Sequence, residues 1–332
     1  MESLEKIISS IKSEAEVQRQ WLYKNFKLAE EGKFIAVAMD NEYFKLFPGP
    51  EFSSDIYRGQ TSFYDLCTPS IYRDTNYIDR FIALMRFNEF KYLLYKHPAL
   101  IDIKKLSIDN KQLKLDYEGM AQHYGLMTEL LDFTSDIDIA LFFATNDYIA
   151  EKKLFKPVLD KNRIGVIYKF NYALDFAENY VNPNYEVIGM QPLPRPGAQN
   201  AYSYRLKKDK NLNTQKNISY IKFKHSPDIS AYYSEKYLKG ENLFPKDGFD
   251  NKLELLKKSN AFSKKAFDIV YEKNHALSYN KTMKKLNKLG YSIFDDYLYD
   301  FSCEELNELA TNWNEEKDKF LSKIGIRLAY YV

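Results

Sequence analysis

Cysteine is nearly missing from this 332-residue chain: only Cys67 and Cys303 occur, far apart and in no metal-ligand spacing. That excludes a disulfide framework and a cysteine-based zinc site, and it leads us to expect two reduced, buried thiols. Histidine is also scarce, four residues with no H-E-x-x-H pair, so no metal is expected. There is no G-x-S-x-G elbow, no Walker A loop and no G-x-G-x-x-G turn. A serine hydrolase, P-loop phosphoryl transfer and a Rossmann domain therefore lack support. No apolar run approaches a membrane span, and residues 1–17 carry acidic side chains and no apolar stretch of the signal-peptide kind. These absences predict a cytoplasmic chain with no membrane partner. An excess of one charge is missing too: 48 basic against 46 acidic residues leave +2, so no global field demands nucleic acid or membrane, though a local basic groove stays open.

Aromatic residues are abundant, with 28 Tyr and 23 Phe, and they suit a packed core and a stacking surface equally well. The length allows one large domain with an attachment, or two modest ones. Residues 2–30 carry Leu4, Ile7, Ile8, Ile11, Trp21 and Leu22 at mostly helical intervals, which predicts one or two amphipathic helices packed on the domain. FIAVAM (34–39) is a strand or a helix end, PGPEFSSD (48–55) a turn-rich approach, and IYRGQ (56–60) a strand. Residues 76–100 read as a helix stopping at His97-Pro98, with Phe81, Leu84, Met85 and Asn88 on one face. The stretch 117–145 reads as helix, stop, buried strand and helix: Tyr117, Met120, Ala121 and Tyr124 make an apolar stripe ending at Gly125, and Ser135 with Asp138 resembles a capping box. IGVIYKF (164–170), YEVIGM (185–190) and YIKFKH (220–225) read as strands. From 251 the pattern is helical again, and Ser302 with Glu305 makes a capping box. The fold expected is α+β: a mixed or antiparallel sheet core with flanking helices, N-terminal helices over 1–45, a main domain over 46–250 and a helical extension over 251–332.

Several polar residues sit where they could do chemistry. Asp132 is the one carboxylate in Leu130-Leu131-Asp132-Phe133 and must either meet a partner or reach a cleft. Arg58 beside Gly59 at a strand end suits a phosphate or carboxylate, because the guanidinium is a fixed fork and glycine admits a ligand to the backbone; the alternative is an ion pair, with Asp132 or a neighbour. His123 is a candidate base, or a helix-end hydrogen bond. Gln199 could orient a ribose hydroxyl, or bond its own loop; Arg195 is a phosphate candidate or a solvated charge.

The motifs also carry a family resemblance. AQHYGL (121–126) followed by LLDFT (130–134) and IALFFAT resembles the core of the FRG domain, named for an aromatic-Arg-Gly motif matched here by Tyr57-Arg58-Gly59-Gln60. LCTPSIYR (66–73, ending at Arg73), PRPGAQNAYS (194–203) and LFPKDGFD (243–250) resemble its other segments, in the right order. The chain departs from the pattern at Met127, Glu129 and Phe133, where the family has Pro, Arg and Trp, and at Asp79, where Glu is common. The resemblance, and its distant similarity to ADP-ribosyltransferases, implies that NAD is the substrate. Arg58 would hold its diphosphate or the nicotinamide ribose, Tyr57 or Tyr124 would stack on the nicotinamide, and Thr134 or Ser135 would support its pocket. Gln199 would take the late, usually acidic, position. The implied site comprises Arg58, Gln199, His123 and Thr134 as catalytic residues, with Tyr57, Gly59, Gln60, Tyr124, Asp132, Ser135 and Arg195 holding the cofactor. The implied role is a toxin-like bacterial effector in phage defence, modifying a nucleic-acid or protein acceptor or cleaving NAD. The opposing classes are a non-enzymatic nucleotide- or nucleic-acid-binding module and a purely structural Arg58–Asp132 network.

Overall fold

A computed structural model describes residues 3–26, 33–39, 42–48, 55–73, 75–172, 174–175, 185–189 and 192–328. In chain order its strands are β1 (Lys33–Ala38), β2 (Tyr43–Pro48), β3 (Asp55–Gln60), β4 (Ser107–Ile108), β5 (Lys111–Leu113), β6 (Leu130–Thr134), β7 (Asn146–Ile149), β8 (Leu154–Pro157), β9 (Ile164–Asn171), β10 (Tyr185–Val187), β11 (Ala201–Arg205), β12 (Ile218–Lys224), β13 (Ala261–Ser263), β14 (Ser292–Phe294) and β15 (Gly325–Leu328). The first five helices are α1 (Leu4–Phe26), α2 (Tyr77–Lys96), α3 (Pro98–Ile103), α4 (Tyr117–His123) and α5 (Ile137–Thr145). The fold is α+β. None of the described helices is long and apolar enough to cross a membrane.

The central sheet has six strands in the order β10-β11-β6-β3-β9-β12, every neighbouring pair antiparallel. Alternation along the strands gives it two faces. On one, Tyr57, Ile167 and Phe223 pack under α1 and α5, whose Leu4, Ile7, Ile11, Leu141 and Phe142 complete that core. On the other, Ile56, Phe133, Val166, Phe170, Tyr202 and Tyr204 belong to the larger cluster. The stripe on α1 serves only its first half: Leu4, Ile7 and Ile11 are buried, whereas Trp21, expected on the same stripe, is 57% exposed. A second, five-stranded sheet runs β15-β1-β2-β5-β4, so FIAVAM is a strand. The C-terminal extension is not wholly helical, because β15 closes that sheet by running parallel to β1 and β13 pairs β14. Most of PGPEFSSD lies outside the described residues.

α2 runs through the middle of the molecule. Its capping box joins Asn76 to Asp79, so Asp79 is there to start the helix. Its first half meets the C-terminal region: Ile78, Phe81, Ile82 and Met85 pack with Phe262, Phe267, Val270 and Leu286. Glu89, fully buried, accepts the backbone N–H of Ser263 at 2.6 Å, at the start of the helix Lys264–Lys273. Around 117–145 the expected order holds, with Gly125 at φ +75° after α4. The cap of α5 differs from expectation: Asp136, not Ser135, is the N-cap, and its side chain accepts from Asp138 N. Cys67 is buried as expected, but Cys303 is exposed.

Candidate functional site

β3 and β6 share a single residue pair, Tyr57↔Thr134, whereas β3 and β9 share six, from Asp55↔Asn171 to Gln60↔Val166. Beyond that pair the two strands part, and Arg58 fills the opening. Its Nη1–H donates to the main-chain carbonyl of Asp132 at 2.9 Å, while its buried Nε has no partner. The expected alternative, a carboxylate ion pair between Arg58 and Asp132, does not form: by alternation their side chains leave opposite faces, and they meet only through the backbone. A second guanidinium, Arg73, donates its Nε–H to Thr68 O at 2.8 Å. Burial first, and then the like charge of Arg58, pull Arg73 below its ordinary value, while the Asp132 charge acts the other way. No acidic side chain among the described residues lies within ion-pairing distance of Arg58 or Arg73. Two guanidinia without an ion-pair partner are of a kind that suits an anion. Gln60 lies on the same face as Arg58, its Oε1 accepting from Cys67 Sγ at 3.6 Å.

Asp132 gathers the polar residues of AQHYGLMTELLD. Gln122 Nε2–H donates to Asp132 Oδ2 at 3.3 Å, and Thr128 Oγ1–H in turn donates to Gln122 Oε1. On the inner side His123 Nε2 lies 3.7 Å from Asp132 Oδ1, and both of these buried atoms lack a hydrogen bond. His123 Nδ1 is 2.9 Å from Gln199 Oε1, and Gln199 Nε2–H donates to Leu243 O at 2.9 Å. An amide oxygen can only accept, so Gln199 fixes the tautomer with hydrogen on Nδ1 and leaves Nε2 facing Asp132. The Asp132 side chain is 42% exposed, so it turns one oxygen inward and the other outward. Gln122 and Thr128 were missed in the sequence, although they stand inside the motif itself.

Other candidates lie elsewhere. Gly59 leaves no room for a ligand, because α5 fills it: a Cβ there would sit 1.9 Å from Ala140 O and 2.7 Å from Ala144 N. Tyr57 is buried in the α1–α5 cluster on the same face, so it cannot stack on a ring held by Arg58. Thr134 is buried there too and accepts Asp136 N at 3.1 Å, an end-of-strand role; the Ser135 backbone donates to Asn200 O at 3.2 Å. Gln199 is buried with both ends of its amide occupied, by His123 and by Leu243 O. Tyr124 and Arg195 form a separate lock. The Tyr124 hydroxyl donates to Asp247, burial and that carboxylate raise it well above its ordinary value, and the ring packs on Phe90 and Phe249. Arg195 lies over the Tyr124 ring at 4.8 Å, pairs with Asp250 and donates to Pro245 O at 3.2 Å, so it is neither a free phosphate ligand nor a solvated charge. Lys257, lowered to about 8 chiefly by burial, closes α4 by donating to Tyr124 O at 2.6 Å. The departures are absorbed as well: Glu129 accepts from the Tyr72 hydroxyl at 2.5 Å and pairs with Arg205 at 3.2 Å, and Phe133 joins Phe170 and Tyr204.

No group of three or more potential metal ligands occurs among the described residues. Compared with known families, residues 53–153 match the model described as FRG domain. No curated protein and no solved structure matches the chain.

Proposed function

The chain carries an FRG domain over residues 53–153, and from that premise we propose that the opening between β3 and β6 binds the diphosphate of NAD and that the protein breaks the nicotinamide–ribose bond. The observation that carries this reading is the pair Arg58 and Arg73, two guanidinia without a carboxylate partner, one with a buried unpartnered Nε. A diphosphate supplies the missing negative charge and matches the planar forks. Asp132, whose side chain leaves the sheet on the face opposite Arg58, is reached through the opening between the strands and gives the site the carboxylate that Gln199 cannot provide. In the reaction the C1′–N bond breaks and its electron pair returns to nicotinamide, a bond forms from C1′ to an acceptor or water oxygen, and the proton released goes to Asp132 Oδ2. Gln122 holds that carboxylate through its Nε2–H, with His123 beside it; Arg58 and Arg73 balance the phosphate charge near the oxocarbenium-like centre. A role as a bacterial effector in phage defence belongs to the same reading and rests on the family resemblance.

The test uses purified protein and NAD labelled in the adenylate, with free nicotinamide, transferred label and NAD affinity read separately. Arg58→Ala removes charge-assisted hydrogen bonds worth about 1.5–3 kcal/mol, so NAD affinity should fall roughly 10- to 150-fold. Asp132→Asn should keep NAD affinity within about threefold and lose roughly a hundredfold or more in turnover. Wild-type protein that binds NAD without ever releasing nicotinamide would instead make the domain a nucleotide-binding module, and failure to bind NAD at all would remove the reading.

A further inference from the structure

A chain with a net charge of +2 concentrates basic residues in one place: between residues 206 and 224 there are six lysines and one acidic residue, Asp209. All six, Lys207, Lys208, Lys210, Lys216, Lys222 and Lys224, are exposed. Among the described residues no ion-pair partner stands near Lys207, Lys208, Lys210, Lys222 or Lys224. From this arrangement we infer that the face around β12 and the segment 206–217 binds a single strand of nucleic acid.

The placement of rings argues for that partner over a generic polyanion. β12 is the edge of the central sheet, and its register lays Tyr220 beside Tyr168 and Tyr168 beside Arg58. A row therefore runs from the sheet edge, Tyr220 to Tyr168 to Arg58, along one face. The rings of Tyr168 and Tyr220 are 5.8 Å apart, Phe63 lies 5.4 Å from Tyr220, and the Lys222 ammonium sits 3.4 Å above the Phe63 ring. Tyr64 is 54% exposed and Tyr220 38% exposed, so flat rings and cations alternate on an open surface. The segment 206–217 is held at the same place: Asn213 accepts from the Tyr168 hydroxyl at 2.8 Å and donates to Tyr64 O at 2.9 Å, and Leu212 N donates to Cys67 O at 2.9 Å. Ammonium groups neutralise phosphates, and exposed rings stack on unpaired bases that a duplex keeps hidden. Lysines on an edge strand also discourage sheet-to-sheet pairing, which accounts for Lys222 and Lys224 but not for those at 207–216. Tyr168 itself is buried beneath this face, so a bound strand meets the exposed rings of Tyr64 and Tyr220 and the lysines around them.

Binding is read by fluorescence anisotropy of the full chain with a labelled oligothymidine or oligouridine of about 20 nucleotides, in salt from about 50 to 200 mM. Four or more phosphate contacts predict an affinity that falls with a log–log slope of roughly −3 or steeper. The double variant Lys222→Glu/Lys224→Glu should weaken binding about tenfold or more, and Tyr220→Ala about fivefold or more at any salt. Reversal of two equally exposed lysines on the helix Tyr279–Lys288, Lys284→Glu/Lys285→Glu, should change it less than about twofold. Absence of binding, an equal loss from that control pair, or a duplex of the same length binding as tightly would each overturn the inference. NAD plays no part in the measurement, so its outcome is independent of the nucleotide reading.

Discussion

At Gly59 even a methyl group has nowhere to go, because the added atom would lie 1.9 Å from a carbonyl oxygen of α5. Backbone cannot yield as the end of a side chain can, so Gly59→Ala should cost about 3 kcal/mol or more and lower the melting temperature sharply, with Arg58→Ala as the comparison. An Arg58→Ala variant that melts as low as Gly59→Ala would assign Arg58 to structure, not to ligand. The two halves of the aromatic-Arg-Gly motif thus do different work on opposite faces of one strand. Alternation made that division available from the sequence, since Tyr57 and Gly59 must face one way and Arg58 and Gln60 the other. What alternation could not supply was which face meets α5. The same limit applies to Asp132: its isolation in an apolar run marked it as exceptional, but Gln122 and His123 reach it only because α4 folds back beside β6.

Among the elements, α2 carries the junction between the sheet region and the C-terminal helices. Glu89 caps the helix Lys264–Lys273 from within the core, burial raises its carboxyl above the ordinary value, and its Oε2 has no partner. A raised acid binds protons more readily in the folded state than in the unfolded state. Stability from Glu89 is therefore full below the ordinary value of 4.5 and declines as pH rises through the folded value. Glu89→Gln keeps the acceptor and removes the charge, so the melting curve of the variant should lose this decline; an unchanged pH profile would remove Glu89 from the account. The helix termini here were largely legible, as the box Ser302–Glu305 forms as expected. The cap of α5 was not, because Ser135 and Asp136 are both good caps and only the course of β6 into α5 selects the second.

For the whole molecule, acid stability should depend on His97, buried between α2 and α3 against the ring of Phe249. Burial alone lowers it to about 4 from an ordinary 6.5, so the unfolded chain takes up this proton first. Stability is complete above 6.5 and falls as pH drops toward about 4; His97→Gln should flatten the melting temperature across that window in a calorimetric titration. The sequence by itself determined the α+β class, the helix–strand–helix unit at 117–145, the FRG motifs and the scarcity of metal ligands, because periodicity, capping and short motifs are local properties. Only the tertiary structure decided which motif residues share a site. It sent Tyr124 and Arg195 into a buried lock with Asp247 and Asp250, turned Gln199 into the support of His123, and left Arg58 and Arg73 without a carboxylate at ion-pairing distance. The parting of β3 and β6 after one pair, and the closure of β1 by β15, rest on strand pairings between distant segments, and no local pattern encodes those.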